Sequence, residues 1–331
     1  MKKRMMLILA AIFCSTLGLF AQLSQMATLT HGTTTTSYYG ETAFSQAYNS
    51  AVNGDVITLT GGNFAAITIE KAITVRGNGV KNDANNGTLK TVIEGLTINY
   101  PSNANNIIKI ESVEISNLSI AGNSEKDHIL ILKSVIGAVS FGKCTANFLQ
   151  SYIGYLNYIG NGNSCNIYVS NCLTGSLHSQ YGSKASVFEM EHCNIRGEIG
   201  IDNVAYKNSI ILCTNGSYLI RGNSTCSYCV GAYIYDSNKN IFDVLSDYST
   251  CTNVGDCLTT IFEDGSSYGA TCDYRLSETA ASTYLGDDGT QVGAYGGDTP
   301  FDLTPTNPRI KKFSVSTTNN NNTLNVRLNV Q

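Results

Sequence analysis

The chain has 331 residues, a formal net charge of −4 and 14% charged residues, against about 25% in an ordinary soluble domain. That balance excludes a strongly basic nucleic-acid binder and a charge-rich disordered chain. Trp is absent and Pro occurs only 4 times, while Gly reaches 31 and Tyr 19, a composition that points to a large all-β protein.

In chain order, Lys2, Lys3 and Arg4 precede the apolar run Met5 to Phe20, and Ala21 offers a small residue before Gln22. Residues 1–21 therefore read as a signal peptide. Cys14 invites a lipoprotein reading, but Ile12-Phe13 ahead of it suit that processing site poorly. No later segment approaches the ~20 continuous apolar residues of a membrane helix. The mature chain is read as an exported monomer, periplasmic, at the cell surface or extracellular, with no integral membrane segment. Ten of the 11 cysteines follow the signal peptide, in a compartment that permits disulfides. Zinc is the rival reading of Cys226-x-x-Cys229, but Cys251, Cys257 and Cys272 give no matching second half, so no metal ligand set is assigned.

The first structured element is expected to be a helix over residues 42–52. Phe44, Ala47, Tyr48 and Ala51 fall on one apolar stripe, and Asn53-Gly54-Asp55 stops it. Short alternating runs follow: Val56-Ile57-Thr58-Leu59, Ile67-Thr68-Ile69, Ile73-Thr74-Val75 and Leu96-Thr97-Ile98, bounded by Gly or Asn in the manner of strands and turns.

A repeat then emerges. Ser134, Ser151, Cys172, Cys193, Ser209 and Cys229 are separated by 17, 21, 21, 16 and 20 residues. Five and three residues before them stand the pairs Ile129/Ile131, Ala146/Phe148, Ile167/Val169, Phe188/Met190 and Val204/Tyr206, with Ser224/Cys226 breaking the apolar rule. Residues two apart on a strand share a face, so each pair is expected to point inward. Gly137, Gly154, Gly175 and Gly197 recur just after the small residue. A period near 20 with about three short strands is what one coil of a parallel β-helix needs, since stacked coils make a continuous core. The Ser/Cys column would sit at a tight corner, with Cys172 and Cys193 buried one coil apart, as a bridge or as stacked thiols. The 42–52 helix would plug the open end of the stack. Among Cys226, Cys229, Cys251, Cys257 and Cys272, where the repeat decays, at least one disulfide is expected.

The runs Gly54-Asp55-Val56-Ile57-Thr58-Leu59 and Ile73-Thr74-Val75-Arg76-Gly77 resemble the opening of secreted right-handed β-helix proteins of the pectin lyase-like superfold. Asn208-Ser209-Ile210-Ile211 is similar to the rung motif of bacterial surface β-helices. Asp273-Tyr274-Arg275-Leu276 and Asp287-Asp288-Gly289-Thr290-Gln291-Val292-Gly293-Ala294-Tyr295-Gly296-Gly297 resemble the closing segment of exported β-helix proteins from Gram-negative anaerobes. The resemblance implies a single right-handed parallel β-helix over residues 22–300 and little about activity, because this superfold carries lyases, hydrolases and adhesins alike. In residues 301–331, Pro305 and Pro308 mark a linker, and Phe313-Ser314-Val315 with Leu324 to Leu328 forms a hairpin around an Asn-rich loop.

Acid/base chemistry on such a scaffold needs outward residues stacked on adjacent coils. The candidates are Glu189, Glu191, Arg196 and Lys207, which could bind a uronide and abstract a proton; a solvated ion pair is the plainer account. Asp287-Asp288-Gly289 could hold calcium, or simply form a turn. His31, His128 and His178 read as structural. Tyr152, Tyr155, Tyr168 and Tyr181 are candidates for carbohydrate stacking, against the simpler fact that Tyr suits strands. The expected function is a non-catalytic surface or secreted protein, adhesive or binding a polysaccharide or a host or bacterial surface glycan. The alternative is a polysaccharide lyase or glycoside hydrolase acting on uronide-containing polysaccharide.

Overall fold

The computed structural model describes residues 25–306, apart from 84–87, 100–106, 159–164, 180–186, 214–219, 222, 237 and 265–273, together with the strands Ile310–Thr317 and Leu324–Val330. The expected signal peptide, Cys14, Tyr181 and Cys272 lie outside the described residues.

The protein is an all-β, mostly parallel solenoid built on three ladders. The first ladder stacks Val56–Leu59, Thr74–Arg76, Ile108–Glu111, residues 129–132 and 145–149, Asn166–Ser170, Val187–Glu191, Ala205–Lys207 and Thr225–Ser227. The second runs from Gly62–Phe64 and Thr91–Ile93 through residues 114–115, 135–136, 152–153 and 173–174. It continues with Asn194–Gly197, Ile210–Cys213 and Val230–Tyr233 to Thr252–Asn253. The third joins Ile67–Ile69, Leu96–Asn99, residues 118–121, 138–141, 155–158 and 176–179, and Ile199–Gly200. Every inward pair expected from the repeat is in the core, from Ile129/Ile131 to Val204/Tyr206, and Ser224 and Cys226 are buried as well. The period-2 pattern therefore set the register, because a one-residue slip would expose each pair.

Two strands precede the helix that was expected to come first. Met26–His31 pairs antiparallel with Val56–Leu59, placing Ala27 opposite Leu59 and Leu29 opposite Ile57, and Thr34–Tyr39 pairs with it on the other side. Thr34–Tyr39 is mostly exposed, so it carries no apolar alternation for a sequence reading to find. The helix itself spans Ala43–Ser50, and its stripe enters the core through Ala43, Phe44 and Ala47. Phe44 meets Phe64 edge-on at 6.2 Å.

The corner between the first and second ladders carries a repeated hydrogen-bond device. Ser112, Lys133, Gln150, Asn171, His192, Asn208 and Tyr228, one per coil, all have φ between 49 and 60°. None is Gly, and only Asn is at ease in this region. The N–H of each of the first six donates to the last first-ladder carbonyl of the next coil at 3.0–3.1 Å. Val113 follows Ser112, and the small residue follows each of the other six. Ser151 Oγ donates to the Leu149 carbonyl at 2.9 Å and accepts from the Ser134 N–H of the preceding coil at 3.2 Å. Cys172 Sγ repeats this toward the Ser170 carbonyl and the Ser151 N–H, and Ser209 Oγ toward the Lys207 carbonyl and the Cys193 N–H. Tightness alone would admit Ala. The column is Ser or Cys because a buried backbone N–H needs an acceptor from the next coil.

The glycine column answers to a different constraint. A Cβ on Gly137, Gly154 or Gly175 would stand 2.5, 2.6 or 2.0 Å from a backbone carbonyl oxygen of the preceding coil. Close approach of backbones, not a left-handed conformation, reserves these positions for glycine.

Cys172 and Cys193 are fully buried at the corner as expected, and they are stacked free thiols. The expected staple is corrected: Cys226, Cys229, Cys251 and Cys257 are also free. Cys229 and Cys251 meet as hydrogen-bonded thiols instead. Burial pushes the Cys172 thiol up to about 12.

Among the described residues the last parallel pairing is at Thr252–Asn253. The segment from Val254 packs outside the solenoid. Ile261, Phe262, Tyr274, Leu276 and Val292 cover the outer faces of Ile210, Leu212, Val230 and Ala232. Those two strands are therefore apolar on both sides, as strands covered on both faces must be. In the tail, Ile310–Thr317 pairs antiparallel with Leu324–Val330, Phe313 opposite Leu328 and Val315 opposite Val326.

Two stability measurements test these columns. Ser151→Ala is expected to cost about 1–3 kcal/mol in denaturant unfolding, because it orphans the Ser134 N–H, whereas Ser151→Cys keeps an acceptor and loses less. Gly175→Ala is expected to cost about 1–3 kcal/mol by overpacking. Gly142→Ala, where a Cβ meets nothing within 4 Å, is expected to leave the midpoint nearly unchanged.

Candidate functional site

The left-handed corner residues do more than turn the chain: their side chains hold the closing segment against the solenoid. Asn208 Nδ2 donates to Asp287 Oδ1 at 2.8 Å, and Asn208 Oδ1 accepts from the Asp287 N–H at 3.1 Å. One coil earlier, His192 Nε2 lies 2.9 Å from Asp288 Oδ2. Asn171 Nδ2 donates to the Ala294 and Gly296 carbonyls, and its Oδ1 accepts from Thr299 Oγ1. Gln150 Nε2 donates to the Pro300 carbonyl at 2.6 Å. Lys133 pairs with Asp302 at 3.1 Å, and Thr306 donates to the buried carboxylate of Glu111 at 2.9 Å. Residues 287–306 thus form a strap that runs back along one corner. Gly296 is fixed by close approach, since a Cβ there would stand 1.7 Å from the Gln291 carbonyl oxygen and 2.7 Å from His192 Nδ1, whereas Gly289 has open space and a φ of 77°.

The acid/base candidates belong largely to this strap. Lys207 bridges Glu191 at 3.2 Å and Asp287 at 2.9 Å. The hydrogen bonds it donates to Asp287 and Glu191 raise its ammonium above the ordinary lysine value. Asn208 and Lys207 together hold the Asp287 carboxyl below the usual range. Burial works against the Asp288 carboxylate, but Thr290 and His192 outweigh it and lower its pKa too. Glu189 is exposed on the first ladder between Tyr168 and Ala205. Arg196 does not join the cluster. It lies on the second ladder opposite Leu212, with its guanidinium 6.0 Å from the Tyr274 ring. Asp287 and Asp288, read from the sequence as a turn or a calcium site, are both engaged by the solenoid. The two carboxylates point at different groups of the solenoid, and among the described residues no three His, Cys, Asp or Glu side chains gather as a metal site.

The tyrosines are also dispersed. Tyr152 lies on the second ladder between Val135 and Leu173, Tyr155 on the third between Ala138 and Ser176, and Tyr168 on the first between Asn147 and Glu189. Tyr155 stacks on His178 at 4.9 Å, and His178 lies 3.4 Å from Glu198. Tyr168 lines a shallow groove of about 320 Å³ with Ile107, Leu130 and Leu149. Tyr152 lines a second groove of about 350 Å³, whose other wall is the strap: Tyr295, Phe301, Asp302 and Leu303, with Lys81 and Arg275 also in its lining. The candidate site is this second groove. Its strap residues were beyond a sequence reading because they approach Tyr152 only through the corner contacts.

Two predictions follow from the strap. Asn208→Gly keeps the left-handed backbone and removes only the side chain; it is expected to leave the far-UV β signal intact while residues 285–300 lose protection in hydrogen exchange. Asp287 and Asp288 have folded pKa values below their unfolded ones, so their contribution is complete above the unfolded value of about 4 and is lost as pH falls through the folded values. Strap protection, corrected for intrinsic exchange, should therefore stay flat from about pH 7 to 5 and fall below about pH 4.

Among known proteins, no family model, no curated protein and no solved structure matches this chain.

Proposed function

We propose that the chain is an exported, non-catalytic β-solenoid protein, secreted or displayed at a cell surface, that binds glycan through its outer faces. The observation that carries this reading is the use made of the charged cluster. Glu191 and Lys207, the residues best suited to proton transfer, are joined to Asp287 in one ion-paired chain that fastens the strap. Arg196 stands on another ladder. A base and an acid facing one substrate-sized space are what acid/base catalysis needs, and these groups face each other. Meanwhile Tyr152 and Tyr155 keep their rings exposed, with the apolar body and polar handle that saccharide stacking uses.

A second reading, a polysaccharide lyase or glycoside hydrolase acting on a uronide polymer, draws on one specific observation. Tyr155 and His178 on the third ladder form a titratable cluster with Glu198, and burial, with Glu198 second, raises the Tyr155 phenol. One experiment separates the two readings. The purified protein is incubated with neutral and acidic polysaccharides, and both retardation in native affinity gels and release of unsaturated products or new reducing ends are followed. The expected outcome is retardation without product. Product that disappears in Glu191→Ala or His178→Ala would overturn the non-catalytic reading.

A further inference from the structure

The groove beside Tyr152 has a chemistry that narrows its ligand. Val135, Tyr152 and Leu173 stand in register on three successive coils, about 4.8 Å apart, and form one wall with an apolar stripe interrupted by an exposed ring. The strap supplies the other wall. Tyr295 and Phe301 meet edge-on at 5.7 Å, and the Arg275 guanidinium lies over the Tyr295 ring at 4.2 Å. A volume of about 350 Å³ is at the small end of ligand sites, which run from about 300 to 1,000 Å³.

Two of the charges in this groove, Asp302 and Arg275, are already matched by the protein, and Lys81 adds an ammonium at its lining. Asp302 pairs with Lys133 at 3.1 Å. Arg275 faces Glu263 at 3.6 Å while it rests on Tyr295. An acidic ligand would have to stand beside the Asp302 carboxylate and compete with Glu263 for Arg275. An uncharged sugar needs neither. Its C–H faces suit the rings of Tyr152 and Phe301, and its hydroxyls suit the phenol of Tyr152, the ammonium of Lys81 and the carboxylate of Asp302.

We infer that the groove between the second ladder and the strap binds an uncharged saccharide, with Tyr152 and Phe301 as its stacking residues. This rests on the glycan-binding reading above and specifies its site and ligand class. The strap thereby has a role in recognition, since half of the groove is made by residues that the corner side chains hold in place.

The test uses the mature full-length protein in native affinity gels containing xyloglucan, galactomannan or a β-1,3-glucan, and in parallel gels containing polygalacturonate or heparin. Expected are retardation by at least one neutral polymer, little changed between about 0.05 and 0.5 M salt because no ion pair is made, and a loss of affinity of about tenfold or more in Tyr152→Ala. Tyr152→Phe should retain most of the binding, and Tyr39→Ala, exposed on the outer strand of the N-terminal hairpin, should retain all of it. Circular dichroism confirms that each variant is folded. Retardation only by the acidic polymers and abolished by salt, or neutral binding indifferent to Tyr152→Ala, would overturn the inference while leaving glycan binding standing. Absence of retardation by every polymer would overturn both. Capture of a proline-rich peptide that Tyr152→Ala abolishes, with no sugar bound, would assign the groove to a protein partner and overturn both as well.

Discussion

A chain that turns a sharp corner once per coil strands a backbone N–H at every turn, and this structure depends on how that N–H is satisfied. From Ser134 onward the coils lend a hydroxyl or thiol to the coil before: Ser134 to Val113, Ser151 to Ser134, Cys172 to Ser151, Ser209 to Cys193. An unpaired buried donor costs about 1–3 kcal/mol, so the column is held to two side-chain types by hydrogen bonding and to small size by packing. The thiols are protonated structural acceptors, with Cys172 pushed up to about 12 by burial. That accounts for cysteines in a protein whose described thiols form no disulfide.

The residue ahead of each hydroxyl or thiol takes the left-handed conformation, and from Lys133 to Asn208 its side chain serves the strap. Asn171, His192 and Asn208 are buried by the strap they bind. The corner therefore performs two tasks with adjacent positions, one joining coils and one clamping the returning chain. Recognition is built on the second task, because the strap walls the groove at Tyr152.

Much of the fold was legible because its physics is periodic. The pairs Ile167/Val169 and Phe188/Met190 announce an inward face, and Ser/Cys with Gly at fixed offsets announces corners. The hairpin Met26–Tyr39 was hidden because its outer strand is almost wholly polar. The site was less legible. Glu191 and Lys207 could be placed side by side from the register, but their third partner, Asp287, lies 80 residues beyond Lys207. Arg196 fell on the wrong face because the corner at His192 and Cys193 separates it from Glu191. An Asn before the small residue in two coils, at 171 and 208, was the one available trace of the clamp.

A stack of coils without long-range ties frays from its ends, since each unit is held only by its neighbours. Here Thr306 reaches Glu111 across 195 residues of sequence, while Asp287 holds Asn208. The strap thus links the early coils to the late ones like a cord along the spine of a book. Peeling away the coil that carries Asn208 must first detach the strap from it, so loss of one end is felt several coils away. The same tie orders assembly: the complete row of clamp sites exists only after the coils from Glu111 to Asn208 have stacked, so full docking of the strap requires them.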